Sequence, residues 1–438
     1  MQTFSRYQKF VVAILAFLQF TIILDFMILS PLGALLLRDL GIKTSQFGLL
    51  VSAYAFSAGI SGICTAGFAD KFDRKKLLLF FYAGFVLGTF MCALATGYRS
   101  LLVARIVTGL FGGVIGSISM AIITDLFPLA VRGRVMGVVQ TAFAASQVLG
   151  LPFGLFLSNH FSWHAPFFLI ASISLGVGFV IAAVLQPIDG HLKMATVRNP
   201  FTHLAKTATD GRYLPAFAAT MLLATGGFML MPFGSAFAVN NLGVPFSKLQ
   251  HIYLVTGITS MIAGPLLGRL ADKIGKYAVF CIGSVTAMAL VGIYCSLGLT
   301  PLGVVMALNA VLFIAITGRM ISASALTSGI PDPQDRGAFM SVSASVQQLS
   351  GGVAASAAGL IVFQTAGGHN ERYSILGYVV MTAIGLTIAM LYPINRAVMR
   401  KAAAASAGPG APAGPGAPVT PGAPAPAPGA SATPAAAE

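Results

Sequence analysis

Apolar residues in this chain run on in long blocks instead of alternating or recurring at a surface-helix period. Twelve such runs occur, at roughly 10–37, 46–69, 77–96, 101–126, 135–157, 163–185, 214–239, 246–270, 278–299, 302–328, 339–363 and 374–394. About 20 apolar residues cross a bilayer as one α-helix. Glycine and proline recur inside the runs, which membrane helices tolerate because neighbouring groups re-satisfy the freed backbone. The pattern predicts an all-α integral membrane protein of twelve transmembrane helices. The polar stretch 186–213 divides them into six and six. The expected organisation is a six-helix bundle over 1–185, a linker over 186–213 and a second bundle over 214–396. An Ala/Pro/Gly-rich tail over 397–438 has too little to bury and is expected to be disordered. The linker is read as plain connection, with a short amphipathic piece lying on the membrane surface as the alternative.

The two halves are written in the same hand. Ala66-Gly67-Phe68-Ala69-Asp70-Lys71-Phe72-Asp73-Arg74-Lys75 returns as Gly268-Arg269-Leu270-Ala271-Asp272-Lys273-Ile274-Gly275-Lys276-Tyr277. Phe26 to Gly33 returns, with one deletion, as Phe228 to Gly234. Two parallel copies of a membrane unit point to a transporter with its site between the halves.

Composition removes the soluble classes. Only 9% of residues are charged and 56% are apolar, against roughly 25% charged in a soluble domain. The solvent must be the lipid bilayer. With the N-terminus inside, only Arg38, Lys43, Arg99, Lys248 and Arg372 fall on the outer side, and Arg105 and Arg319 fall within helices. The rest of the 26 Lys and Arg lie inside. That bias places both termini in the cytoplasm. It also accounts for the net charge of +14 without nucleic acid, because the basic residues are spread over separate loops. The first run is too long for a signal peptide and reads as a spanning helix. The 4 Cys all lie in apolar runs and read as packing residues. No metal-ligand spacing, phosphate loop or nucleophile elbow occurs, so no metal, cofactor or enzyme activity is expected.

Charges inside apolar runs are expensive and therefore informative. Asp25, Arg105 and Arg319 lie well within helices. An acid that takes up and gives off a proton as its exposure changes is what proton coupling needs, and Asp25 is the candidate. The alternative is a permanently ionised carboxylate held in a salt bridge or cap. Asp25 and Arg105 both fall in the outer half of their helices, so a direct or water-bridged contact is expected. Snorkelling to the outer headgroups is the alternative for Arg105. Arg319 belongs to the second half alone. It could bind an anionic or carbonyl-bearing substrate, replace a lost proton as counter-charge, or bond backbone carbonyls. Gln19, Tyr54, Gln140, Gln147, Tyr253, Asn309 and Gln347 are candidates for lining a wet cavity, each of which could instead make an interhelical hydrogen bond. In the repeated phrase, Asp70, Lys71 and Arg74, and Gly268, Asp272, Lys273 and Gly275, form a candidate cytoplasmic gate or a plain inner-face anchor.

On these residues the chain resembles the major facilitator superfamily, whose loop signature G-x-L-A-D-R-x-G-R-K matches the second phrase through Gly268, Asp272, Gly275 and Lys276. In the first phrase Ala66 and Asp73 stand where the signature has glycine, which questions the tight turn there. The resemblance implies two six-helix bundles, alternating access and a monomer. Leu101 to Gly109 resembles the fourth-helix motif of twelve-helix drug:proton antiporters, in which the arginine, here Arg105, sits near a first-helix acid, here Asp25. Val148 to Gly154 and Ser162 to Phe168 are more similar to stretches of arabinose and sugar efflux permeases, with His164 in place of the usual arginine. The expected function is proton-coupled efflux of a small organic solute, a drug or a sugar, across a bacterial inner membrane. A proton-linked importer of an organic anion or sugar is the alternative within the fold, and a transport-dead sensor or scaffold is the alternative outside it.

Overall fold

The structure is a computed structural model that describes residues 4–66, 68–193, 200–332, 335–365 and 367–406. Its helices are α1 (Arg6–Ile28), α2 (Gly33–Asp39), α3 (Thr44–Ala66), α4 (Arg74–Ala93), α5 (Tyr98–Leu126), α6 (Leu129–Ala145), α7 (Leu151–His160) and α8 (Ala165–Val184) in the first half. A short helix, α9 (Pro200–Thr209), precedes the second half. There follow α10 (Leu214–Leu230), α11 (Gly234–Asn240), α12 (Leu249–Ile274), α13 (Lys276–Cys295), α14 (Leu302–Thr327), α15 (Arg336–Ile361) and α16 (Tyr373–Ser406). Among the described residues, one packed unit runs as far as Val398, and α16 continues beyond it to Ser406. That helix runs past the tail boundary expected at 396, and the tail from 407 lies outside the described residues.

Among the described residues, eleven helical stretches are long and apolar enough to cross a membrane. The twelfth expected span, α15, has 26 residues, but Ser341, Ser343, Ser345, Gln347, Gln348 and Ser350 dilute its apolar character. It lies packed against α3 and α10, where its small polar residues meet protein. Two expected single helices are broken. The run 10–37 ends α1 at Ile28 and resumes as α2, around Pro31; the run 214–239 breaks at a 3₁₀ turn over Met231–Phe233, around Pro232. Proline lacks the N–H that a continuous helix would use. The run 135–157 begins earlier, at Leu129, and carries a π-helical turn over Ser146–Gly150 just before Pro152.

The first half packs α1 against α6 and α8, and α4 against α5 and α8; the second packs α13 and α12 against α14, and α10 against α15. Across the halves α3 meets α15 and α7 meets α12. We call the end carrying the Lys/Arg-rich loops the basic end, and the other the far end. At the far end one apolar core runs through both halves, joining Met27, Leu36 and Phe47 to Phe233, Phe237 and Ala355. Phe47 and Phe233 meet at 5.7 Å between ring centroids, as do Phe26 and Phe228. Toward the basic end the core divides. One cluster contains first-half residues from Val11 to Leu185 with Ile188 of the linker; two others hold Phe339, Phe280 and their neighbours on the second-half side.

Side-chain hydrogen bonds between the halves follow the same division. Ser30 Oγ donates to the Met231 carbonyl, Ser235 Oγ to the Ser30 carbonyl at 2.8 Å, Thr44 Oγ1 to the Val362 carbonyl at 2.6 Å, and Ser356 Oγ to Ser52 Oγ at 2.7 Å. Ser52 lies about 12 Å along α3 from its far-end start. The stretch 186–213 is more than plain connection: Leu204 and Thr207 of α9 are buried, with Leu204 in a cluster with Tyr213, Phe217 and Phe339. His203 Nε2 and Tyr213 Oη hold the two oxygens of Asp335 at 3.0 and 2.9 Å.

Candidate functional site

Asp25 sits near the far end of α1 and Arg105 near the far end of α5, both fully buried. Arg105 Nη1 donates to Asp25 Oδ2 at 2.9 Å and to the Asp25 carbonyl at 3.2 Å. Thr89 Oγ1 lies 3.3 Å from Asp25 Oδ1 and also bonds the Phe85 carbonyl at 2.9 Å. Tyr54 covers the guanidinium with its ring, 4.6 Å from Cζ to centroid, an arrangement attractive in itself. Glycines let this happen. A Cβ on Gly109 would run into Ser57 and the Tyr54 backbone, and one on Gly113 would come within 2.6 Å of the Ala58 Cα. Without side chains there, α5 closes on α3 and brings Tyr54 over Arg105. Snorkelling of Arg105 is thus replaced by a direct pair. An ion pair at zero exposure is costly to bury, and removing either partner alone strands the other.

The remaining candidates separate into groups. Tyr253, Asn309 and Arg319 line one cavity inside the second half. Arg319 Nε donates to Ser284 Oγ at 3.0 Å, and its Cζ lies 5.7 Å from the Phe280 ring centroid. Gln147 is buried in the π-helical turn, where its backbone faces Gly257 of α12. Gln19 lies against Gly116 of α5. Gln140 is exposed and Gln347 partly buried; neither lines the cavity with Arg319. Thr89 and Ser284 went unnoticed in the sequence, because a lone Thr or Ser in an apolar run usually bonds its own helix.

The repeated phrase takes two shapes. In the first copy a 3₁₀ turn over Ala69–Lys71 leads to Asp73, whose carboxylate caps α4 by accepting from the amides of Lys75 and Lys76. Arg74 is buried, donating from Nε to Asp125 Oδ2 at 3.0 Å and from Nη1 to the Ala69 carbonyl at 3.1 Å. Asp125, at the end of α5, was not among the expected residues, although an acid closing an apolar run was a visible signal. In the second copy α12 runs on to Ile274, and the corner is made by Gly275 at φ 98°, ψ 141°, where only glycine is at ease. The cap at Asp73 therefore answers the missing glycine. Arg74 pairs within its own half, so the bridge it makes here does not join the halves. Lys71, Asp272 and Lys273 are exposed and Gly268 is helical; the side chain of Asp70 lies outside the described residues.

The profile of the Major Facilitator Superfamily matches residues 15–210 and 216–428. The chain is 29% identical over 273 residues to the uncharacterized MFS-type transporter YceJ of Bacillus subtilis (strain 168), covering 62% of this chain and 69% of that protein. It is 24% identical over 255 residues to the probable sugar efflux transporter of Pasteurella multocida (strain Pm70), covering 58% and 62%. It is also 24% identical over 389 residues to multidrug resistance protein 2 of Bacillus subtilis (strain 168), covering 87% and 95%. In fold it is similar to a bacterial homologue of the human lysosomal transporter Spinster, solved inward-facing and unoccupied, with TM-score 0.68 at 16% identity over 91% of this chain and 99% of that one. With its apolar spans in two similar halves, this chain belongs to the major facilitator superfamily and is a multi-pass membrane transporter.

Proposed function

We propose that the protein is a proton-coupled efflux carrier for a small organic solute in a bacterial inner membrane, with both termini in the cytoplasm. The basic end is then the cytoplasmic one, and a joined far end with a divided basic end is an inward-facing arrangement. The observation that carries the coupling is the fully buried pair of Asp25 and Arg105. Protonation of Asp25 leaves Arg105 as a buried cation without its counter-charge, which favours any state that hydrates it. Deprotonation restores the pair and the closed packing around it. A ligand or proton moves a conformational equilibrium only by binding its two states unequally, and this pair supplies the inequality. Protonation from outside would release solute, and deprotonation inside would favour rebinding. Relatives named for sugar efflux and multidrug resistance support the outward direction.

The test uses purified protein in liposomes with an internal pH dye and a panel of cationic drugs, sugars and organic anions. A solute that triggers proton flux in wild type and at least about tenfold less in Asp25→Asn is the expected result. Undiminished flux in the variant would remove Asp25 from the mechanism. Arg319 favours a second reading, proton-linked import of an organic anion, and the direction of solute movement under an imposed proton gradient separates the two.

A further inference from the structure

The cations inside the two halves are treated differently. Arg105 has Asp25 at 2.9 Å. Arg319 is 6% exposed, yet no carboxylate pairs with it among the described residues. Its polar contact is the neutral Ser284 hydroxyl, and its Nη2 is buried without a hydrogen-bond partner. A guanidinium stays charged in a protein, and an unpaired charge at membrane depth is expensive and marks function by default. The packing holds it in place: a Cβ on Gly283 of α13 would stand 3.2 Å from Arg319 Cγ, so the stem of the arginine lies flat on that helix.

What Arg319 opens onto is a partly open apolar cavity of about 170 Å³ lined by second-half helices, α10 through α14 and α16. Aliphatic side chains dominate its wall through Ile252, Leu312 and Ile316, while Tyr253, Tyr294 and Tyr373 supply aromatic faces with hydroxyl tips. An apolar cavity of about 150 Å³ holds benzene. The unpaired charge of Arg319 and the apolar wall beside it suit a ligand with one negative charge on a compact apolar body. We propose that this cavity binds a small monocarboxylate with a benzene-sized apolar body, its carboxylate on Arg319. A carboxylate matches the guanidinium fork, and its body replaces empty apolar space. Phosphate and sulfate lack that body. The inference that this ligand is transported rests on the carrier reading; the inference that it binds does not.

Benzoate is the probe, with benzyl alcohol as its neutral counterpart, titrated calorimetrically into purified full-length protein in detergent. Loss of a hydrogen bond to a charged group corresponds to about ten- to a hundredfold in affinity. Benzoate is expected to bind wild type, with benzyl alcohol and the Arg319→Gln variant each weaker by that factor. Gly227→Leu is the second variant. Gly227 lines the cavity, and a Cβ there meets nothing within 4 Å, so the leucine fills the space while the charge stays. It too is expected to lose benzoate, with its thermal unfolding unchanged. Absence of benzoate binding in wild type overturns the proposal, as does binding that ignores both variants. If Arg319→Gln does not fold, Gly227→Leu decides alone. Proteoliposome flux separates the two readings: benzoate binding with no flux of any solute in the panel sinks the carrier role and leaves the site, whereas flux of another solute without benzoate binding does the reverse.

Discussion

At the residue scale the decisive quantity is the cost of a charge left alone. Asp25 and Arg105 have no exposure, so each is tolerable only through the other. Removing one partner of a buried pair costs about 3–5 kcal/mol. Arg105→Gln is therefore expected to lower thermal stability in detergent more than the double variant Asp25→Asn/Arg105→Gln, which strands no charge; equal or greater loss in the double variant would count against the pair as a structural unit. Both residues were legible in the sequence because an ionisable group in an apolar run is rare and conspicuous. Their helpers were not. Thr89 reaches Asp25 from α4, and Ser284 reaches Arg319 from α13, and nothing in a lone hydroxyl tells which neighbouring helix it will face.

At the element scale, the repeated phrase shows one corner built with two chemistries. Asp73 caps a helix from an ordinary backbone conformation, while Gly275 makes the corner at φ 98°. Replacing an N-cap aspartate by glycine costs only a few tenths of a kcal/mol, whereas a side chain in the region of Gly275 costs of order 1–3 kcal/mol. Asp73→Gly, which restores the signature glycine, is expected to leave the melting temperature nearly unchanged, and Gly275→Ala to lower it clearly. Equal shifts in the two variants would show that the corners are alike after all. Length and hydropathy made the spans readable, but not their interruptions. Apolar residues flank both breaks, Leu29 and Leu32 in one half and Met231 and Phe233 in the other, so the breaks at Pro31 and Pro232 leave little mark on a pattern of polarity. The docking of α9 was hidden for a related reason, since Leu204 finds its partners Tyr213 and Phe339 only in the folded chain.

At the scale of the molecule, the apolar core is shared by both halves at the far end and separate in each toward the basic end, while α3 stays against α15 as far as Gly62 and Ser345. Gly48 of α3 lies where a Cβ would stand 2.7 Å from the Ala355 carbonyl, inside the sealed region. A tryptophan there is a wedge. In a Ser235→Cys background, an impermeant thiol reagent applied from the far side is expected to react slowly, and at least about tenfold faster once Gly48→Trp forces the halves apart. A rate indifferent to the wedge would mean that the α3–α15 contact does not close that end. The family was readable from the sequence because it is written in loop signatures and run lengths. The conformation was not, because both arrangements of the halves use the same spans.

The contact between Ser30 and the Met231 carbonyl has one more consequence. Each residue immediately precedes the proline that breaks its own half, and Ser235, just past the second break, returns a hydrogen bond to the Ser30 carbonyl. Equivalent break points of two similar units thus meet each other, close to where a two-fold axis would relate the halves. Because each break lies against the other, a change at either proline is felt by both halves at once.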